Sequence, residues 1–357
     1  SIGGWIAELA KTHRVVLLDQ RGTGMSSPLS ARNITAVGDA QVQAEYTELF
    51  RADSIIADAE AIREVLLADR ADKRWSTIGQ SFGGFLTLSY LSFAPQSLRD
   101  FRITAGLAPI RTSVDNVYQH TFDRMKERNE EYYSWFPEDA ELATRIAEHL
   151  RTHKEYLPTG ERLTDHRFQM AGHFLGGRWR ERGLHYFLEN AFAEGNDHLS
   201  DQFLTAMGAE VTFQANPLYA LMHETIYADC PADGVLPGIP GYELSPSPAP
   251  TNWSAARVAA SRPEFAPDAD RLLFTGEHIF PWYYEEDPSL RPLAEVANIL
   301  AEKKDWGRLY DHAQLHKNEV PVVAAAYNPD VYVDFEHSME TARWVGNTHV
   351  WTSKTHH

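Results

Sequence analysis

The sequence predicts an α/β fold, a mostly parallel sheet flanked by helices and broken by a long, mainly helical insertion. Three observations predict it. Strand-like and helix-like segments alternate at both ends of the chain. From about residue 111 to residue 285 helical patterns continue without a convincing strand. Within the first alternating stretch, "STIGQSFGGFLTL" (residues 76–88) sets a lone serine among glycines where a strand gives way to a helix.

Each element follows from its own pattern. "HRVVLLDQRGTG" (13–24) is a continuous apolar run ending at Asp19, as expected of a strand buried on both faces. In "ADSIIADAEAIREVLLADR", Ile55, Ile56, Ala59, Ile62, Val65 and Leu66 fall at helical spacing, with Asp53 the expected N-cap. "RWSTIG" predicts a strand, "GGFLTLSYLSFA" a helix stopped by Pro95, and "FRITAGLAP" a third strand. The insertion then offers helices in "DNVYQHTFDRMKERNEEYYSWF", "EDAELATRIAEHLRTH", "TDHRFQMAGHFL" and "GLHYFLENAFAE". Residues 231–267 hold eight of the nineteen prolines, which suits a long excursion within the insertion. "LRPLAEVANILAEK" (helix), "EVPVVAAAY" (strand), "SMETARWV" (helix) and "THVWTS" (strand) restore the alternation. The expected division is a core from residues 1–110 and 286–357 and a helical cap from residues 111–285.

Composition narrows the function. The net charge of −17 argues against nucleic acid or anionic lipid as partner and favours a neutral or cationic ligand. No apolar run is long enough to span a bilayer. A single cysteine, Cys230, excludes an internal disulfide and suits a reducing cytoplasm. No metal-ligand spacing is apparent, His185 and Glu189 lacking a third partner, so neither metal nor cofactor is expected.

The chemistry rests on the serine. A nucleophilic hydroxyl must be exposed and rigidly held beside a backbone N–H that receives the developing oxyanion. A sharp strand-to-helix turn with small residues two before and two after the serine provides this, and "GQSFG" fits, with Ser81 flanked by Gly79 and Gly83. By chance alone such a pentapeptide arises in roughly one chain in ten of this length, so its position between strand and helix carries the argument. In this architecture acid and base follow the serine in that order, each after a strand. Asp330 is the first acid after "EVPVVAAAY", with Asp334 its competitor; His356 and His357 follow the last strand, and neighbouring residues cannot be separated there.

"VVLLDQRGTGMSSP", "GQSFGGF" and "GEHIFPW" together resemble the proline iminopeptidases, a branch of the α/β-hydrolase fold, and the likeness runs through most of the chain, including the cap. It implies release of N-terminal proline from peptides or prolyl amides through an acyl-enzyme. Ser81 would be the nucleophile, Asp330 the orienting acid, His357 the base and the Phe82 N–H an oxyanion donor. Asp19 to Gly24 would be a structural turn beside the site. Cap glutamates in such enzymes hold the substrate amine; Glu189, Glu224 and Glu277 are the candidates, with Phe192 and Trp282 possible walls of a pyrrolidine pocket. The family's glycine-rich loop ahead of D-Q-R-G-x-G, its first strands and its final helix have no counterpart here, so a longer protein is expected. An esterase or amidase on the same triad, and a non-catalytic binding protein on the same scaffold, are the competing readings.

Overall fold

The computed structural model describes residues 3–177, 180–193, 195, 197–229 and 250–354. Strands β1 (Trp75–Gln80), β2 (Leu98–Thr104), β3 (Glu155–Tyr156), β4 (Arg162–Leu163), β5 (Val322–Tyr327) and β6 (Thr348–Ser353) make two sheets. The larger is wholly parallel, in the order β1-β2-β5-β6. One face of its centre is dry, with Phe101, Ile103, Val322 and Ala324 at most 1% exposed, whereas Ile78 and Val323 on the other face are 39% and 53% exposed. The helix Phe82–Phe93 fills one of those connections and buries Phe85, Leu88 and Leu91.

The expected strand at 13–24 is not formed. Residues 14–20 join no ladder, and Val16, Leu17 and Leu18 are 44–60% exposed. A run of apolar residues becomes a strand only where a neighbour satisfies its N–H and C=O groups, and among the described residues no backbone hydrogen bond reaches residues 14–19. Asp53 is likewise not a cap. The helix spans Ala52–Leu66 with Arg51 at the N-cap, which places Asp53 in the first turn, where its charge complements the helix dipole.

Above the sheet, the helices Val114–Trp135, Pro137–Thr152, Glu181–Glu189 and Asp201–Glu210 build the cap, with the short antiparallel pair β3–β4 between the second and third. Pro137 starts its helix at a position that needs no N–H donor. The buried apolar residues form two clusters, one beneath and around the sheet and one within the cap. The cluster within the cap also takes in Ile34, Ala44, Val296 and Leu300, where the helix Ala294–Glu302 packs on the helix Ala40–Glu48. Among the described residues no helix is long and apolar enough to cross a membrane.

Candidate active site

Ser81 occupies the turn from β1 into the helix Phe82–Phe93 with φ 52° and ψ −124°, a conformation that L-residues avoid. The surroundings enforce it. The Ser81 N–H donates to the Thr104 carbonyl at 2.9 Å, and the Gly84 N–H donates to the Ser81 carbonyl at 2.8 Å. A Cβ on Gly79 would stand 2.1 Å from the Gly83 carbonyl oxygen, one on Gly84 2.3 Å from that of Gly106, and one on Gly106 2.4 Å from that of Ser81. Gly83 itself would accept a Cβ without contact. The turn therefore needs glycine at 79, 84 and 106, and the second glycine of "GQSFG" matters through its backbone. Phe82 is the first helical residue, so its N–H has no acceptor within the helix and is free to serve an anion at the turn.

Asp330 lies three residues beyond β5. Its Oδ1 accepts the N–H groups of Tyr332 (2.8 Å) and Val333 (3.0 Å). Burial pushes its pKa up to about 6, against those two hydrogen bonds, with the nearby Glu277 charge adding to the rise. Asp334 is turned elsewhere. It caps the helix Phe335–Trp344 and meets His120 and Arg124 of the first cap helix. His356 and His357, like Cys230, lie outside the described residues. β6 ends at Ser353, which pairs with Tyr327 and accepts the Asn328 N–H at 2.9 Å. The last strand thus delivers the chain to the root of the Asp330 loop.

Ser81 and Phe82 open into a cavity of about 140 Å³ between sheet and cap. Gln20, Thr23 and Phe85 line it from below; Tyr219, Tyr227 and Glu277 line it from the cap, with Tyr332 at the side. The D-Q-R-G-T-G stretch is a braced turn at its edge. Asp19 accepts the Met25 N–H at 2.8 Å, and Arg21 grips both oxygens of Asp58 at 2.6 Å.

Of the three candidate glutamates only Glu277 reaches this cavity. Its Oε1 accepts the Tyr219 hydroxyl at 2.7 Å, and its backbone carbonyl receives His223 Nε2 at 3.0 Å. Burial keeps His173 and His223 below the ordinary imidazole range and takes His278 to about 3, so these rings are neutral and no cation neutralises the carboxylate from their side. Glu224 sits behind the cavity wall, its Oε1 accepting the Ala255 N–H at 3.0 Å at the start of the helix Ser254–Ala260. Glu189 is exposed at the end of its helix and does not line the cavity. Phe192 packs under Arg145, and Trp282 against Phe280 and His166; neither lines the cavity. His185 pairs with Asp139 at 3.0 Å rather than with Glu189.

Tyr219, His223 and Tyr227 escaped the sequence reading. Their spacing of four in "PLYALMHETIY" is the signal that marks one helical face, and all three line the cavity.

Known proteins agree with this architecture. A family model described as alpha/beta hydrolase fold matches residues 2–155. A proline iminopeptidase of Aeromonas sobria is 42% identical over 350 residues, covering 98% of this chain and 77% of that protein. Proline iminopeptidase aneH of Aspergillus aculeatus is 36% identical over 347 residues, covering 95% of this chain and 72% of its own. Among solved structures, an alpha/beta fold family hydrolase from Bacillus anthracis str. Sterne superposes only loosely, with TM-score 0.34 and 15% identity over 95% of this chain and 73% of the other. Identity at this level across nearly the whole sequence, joined to a parallel sheet with a strained serine turn, shows that the chain belongs to the proline iminopeptidase family of α/β-hydrolases.

Proposed function

We propose that this protein releases N-terminal proline from peptides and prolyl amides through an acyl-enzyme on Ser81. The observation that carries the reading is one cavity holding both the strained serine and the carboxylate of Glu277. A free N-terminal proline is a secondary ammonium next to the carbonyl to be attacked. An anion must meet it, and Glu277, fixed by Tyr219, is that anion.

In this mechanism neutral His357 accepts the Ser81 hydroxyl proton as Oγ bonds to the prolyl carbonyl carbon. The Phe82 N–H donates to the oxyanion. The C–N bond then breaks, His357 returns the proton to the leaving amine, and water repeats the sequence against the ester. Support for His357 as base comes from Ser353, paired with Tyr327 at the foot of the Asp330 loop. Support for Asp330 as orienting acid comes from its place after β5 and from its burial: an imidazolium forming alongside draws its raised pKa back down and is stabilised in return.

Ser81→Ala abolishes release of 4-nitroaniline from prolyl 4-nitroanilide while leaving the thermal unfolding midpoint in place. Glu277→Gln raises KM for the same substrate by about 10²-fold, the scale of one lost buried charge pair. N-acetylprolyl 4-nitroanilide, which has no ammonium, is not cleaved. Undiminished cleavage of the acetylated substrate would replace this reading with a general amidase.

A further inference from the structure

We propose that His120, Asp334 and His337 form a binding site for a divalent transition-metal ion of the Zn²⁺ class, which ties the first cap helix to the segment that follows Asp330. One ligand atom from each residue lies within 4.8 Å of the other two. The Asp334 Oδ1 stands 3.2 Å from His120 Nδ1 and 3.7 Å from His337 Nδ1. Tetrahedral ligands held 2.0–2.1 Å from zinc are about 3.4 Å apart. The two separations bracket that value, and the His120 and His337 rings lie side by side with centroids 4.2 Å apart, so a small rotation of the rings brings both nitrogens onto one ion with Asp334.

A second observation points to the same occupant. His337 Nδ1 is buried without a hydrogen-bond partner, where buried polar atoms nearly always have one. The ring's other nitrogen, Nε2, lies 3.2 Å from the Asn116 side-chain amide, which also meets the Thr112 hydroxyl at 2.6 Å. Amide oxygen and nitrogen exchange places by a simple flip. In the flipped form the Asn116 oxygen accepts Nε2–H, the outer hydrogen bond that ligating histidines require, and Nδ1 presents its lone pair to the ion.

The charge balance favours a cation. Arg124 donates to Asp334 Oδ2 at 3.0 Å, on the oxygen away from the histidines. Arg124 is in turn met by Glu127 at 2.8 and 2.9 Å and by Glu336 at 3.7 Å. Three carboxylates thus surround one guanidinium, a local charge of −2. The His120 side chain is 27% exposed and gives the ion an entrance from solvent, where water completes the coordination. Binding replaces the His120–Asp334 hydrogen bond and releases whatever proton that nitrogen carries.

The test uses the full chain stripped with chelator. Titration with Co²⁺ is followed by the ligand-field absorption of a four-coordinate ion, and titration with Zn²⁺ by calorimetry. One equivalent is expected to bind, raising the melting temperature. His120→Gln and His337→Gln each weaken binding by at least tenfold, whereas His349→Gln, on exposed strand β6, does not. If His337→Gln fails to fold, His120→Gln at its partly exposed position decides. The absence of the cobalt spectrum in the parent protein, or its survival in His120→Gln, overturns the site. None of these readouts depends on peptidase activity.

Discussion

Asp330 and Asp334 stand four residues apart after the same strand, yet the two ends of this short segment serve different parts of the molecule. Asp330 is held by two backbone N–H groups, and burial lifts its pKa to about 6. Asp334 faces the cap, where Arg124 and the N–H groups of the helix Phe335–Trp344 hold its pKa below the ordinary carboxylate value against the opposing effect of burial. Identical side chains thus acquire opposite character from their partners. The chain leaves one carboxylate to backbone donors and uses the other, paired with Arg124, to fasten the helix Val114–Trp135 to the helix Phe335–Trp344.

Substitutions at the two positions sharpen the contrast. Asp330→Asn preserves shape but not charge, so kcat on a prolyl amide falls by about 10⁴-fold, as expected when the base loses its orienting carboxylate; stopped-flow or steady-state assays read this directly. A fall of less than tenfold would erase the distinction between the two ends. Stability against pH gives the second effect. The folded protein holds the Asp330 proton up to about pH 6, the unfolded chain only to about pH 4, so the folded state binds more protons between these values and stability declines as pH rises through them. The decline is on the order of 3 kcal/mol and is absent from Asp330→Asn, which denaturant unfolding at pH 4 and pH 7 measures as a difference between the two proteins.

Asp334→Ala reverses the pattern. It removes a helix cap and the buried partner of Arg124, which keeps Glu127, costing about 1–3 kcal/mol of stability, while kcat changes by less than tenfold. Urea unfolding beside a kinetic assay separates the two consequences. Smallest is the effect of Tyr219→Phe, which deletes the hydroxyl that steadies Glu277. One neutral-to-charged hydrogen bond is worth about 1.5 kcal/mol, or roughly tenfold. It enters KM rather than kcat, because the bond orients a binding carboxylate.

How far the sequence disclosed this site depended on the range of the contacts involved. Ser81 was readable because its geometry is local: strand, strained turn and helix occupy one short stretch, and the clash that Gly79 avoids is with Gly83, four residues on. Asp330 was singled out by chain order, and the structure puts it three residues beyond β5. The glutamates were not separable, since Glu224 and Glu277 both stand in apolar surroundings. Which one opens to the cavity depends on where the helix Ser254–Ala260 docks, and its N-terminus claims Glu224. The apolar run at Val15–Leu18 misled for the same reason, as a strand is defined by a neighbour that a single segment cannot specify.

By itself, then, the sequence determined the alternation of strands and helices, the serine turn and the family, because periodicity, glycine placement and short motifs act through bonds between near neighbours. Only the tertiary structure decided which carboxylate faces the cavity, which four-residue-spaced face of the cap lines it, and that His120 meets Asp334 across 214 residues of chain. Those choices rest on packing between elements far apart in sequence, where burial and the local supply of partners, rather than residue type, set the charge and reactivity of each group.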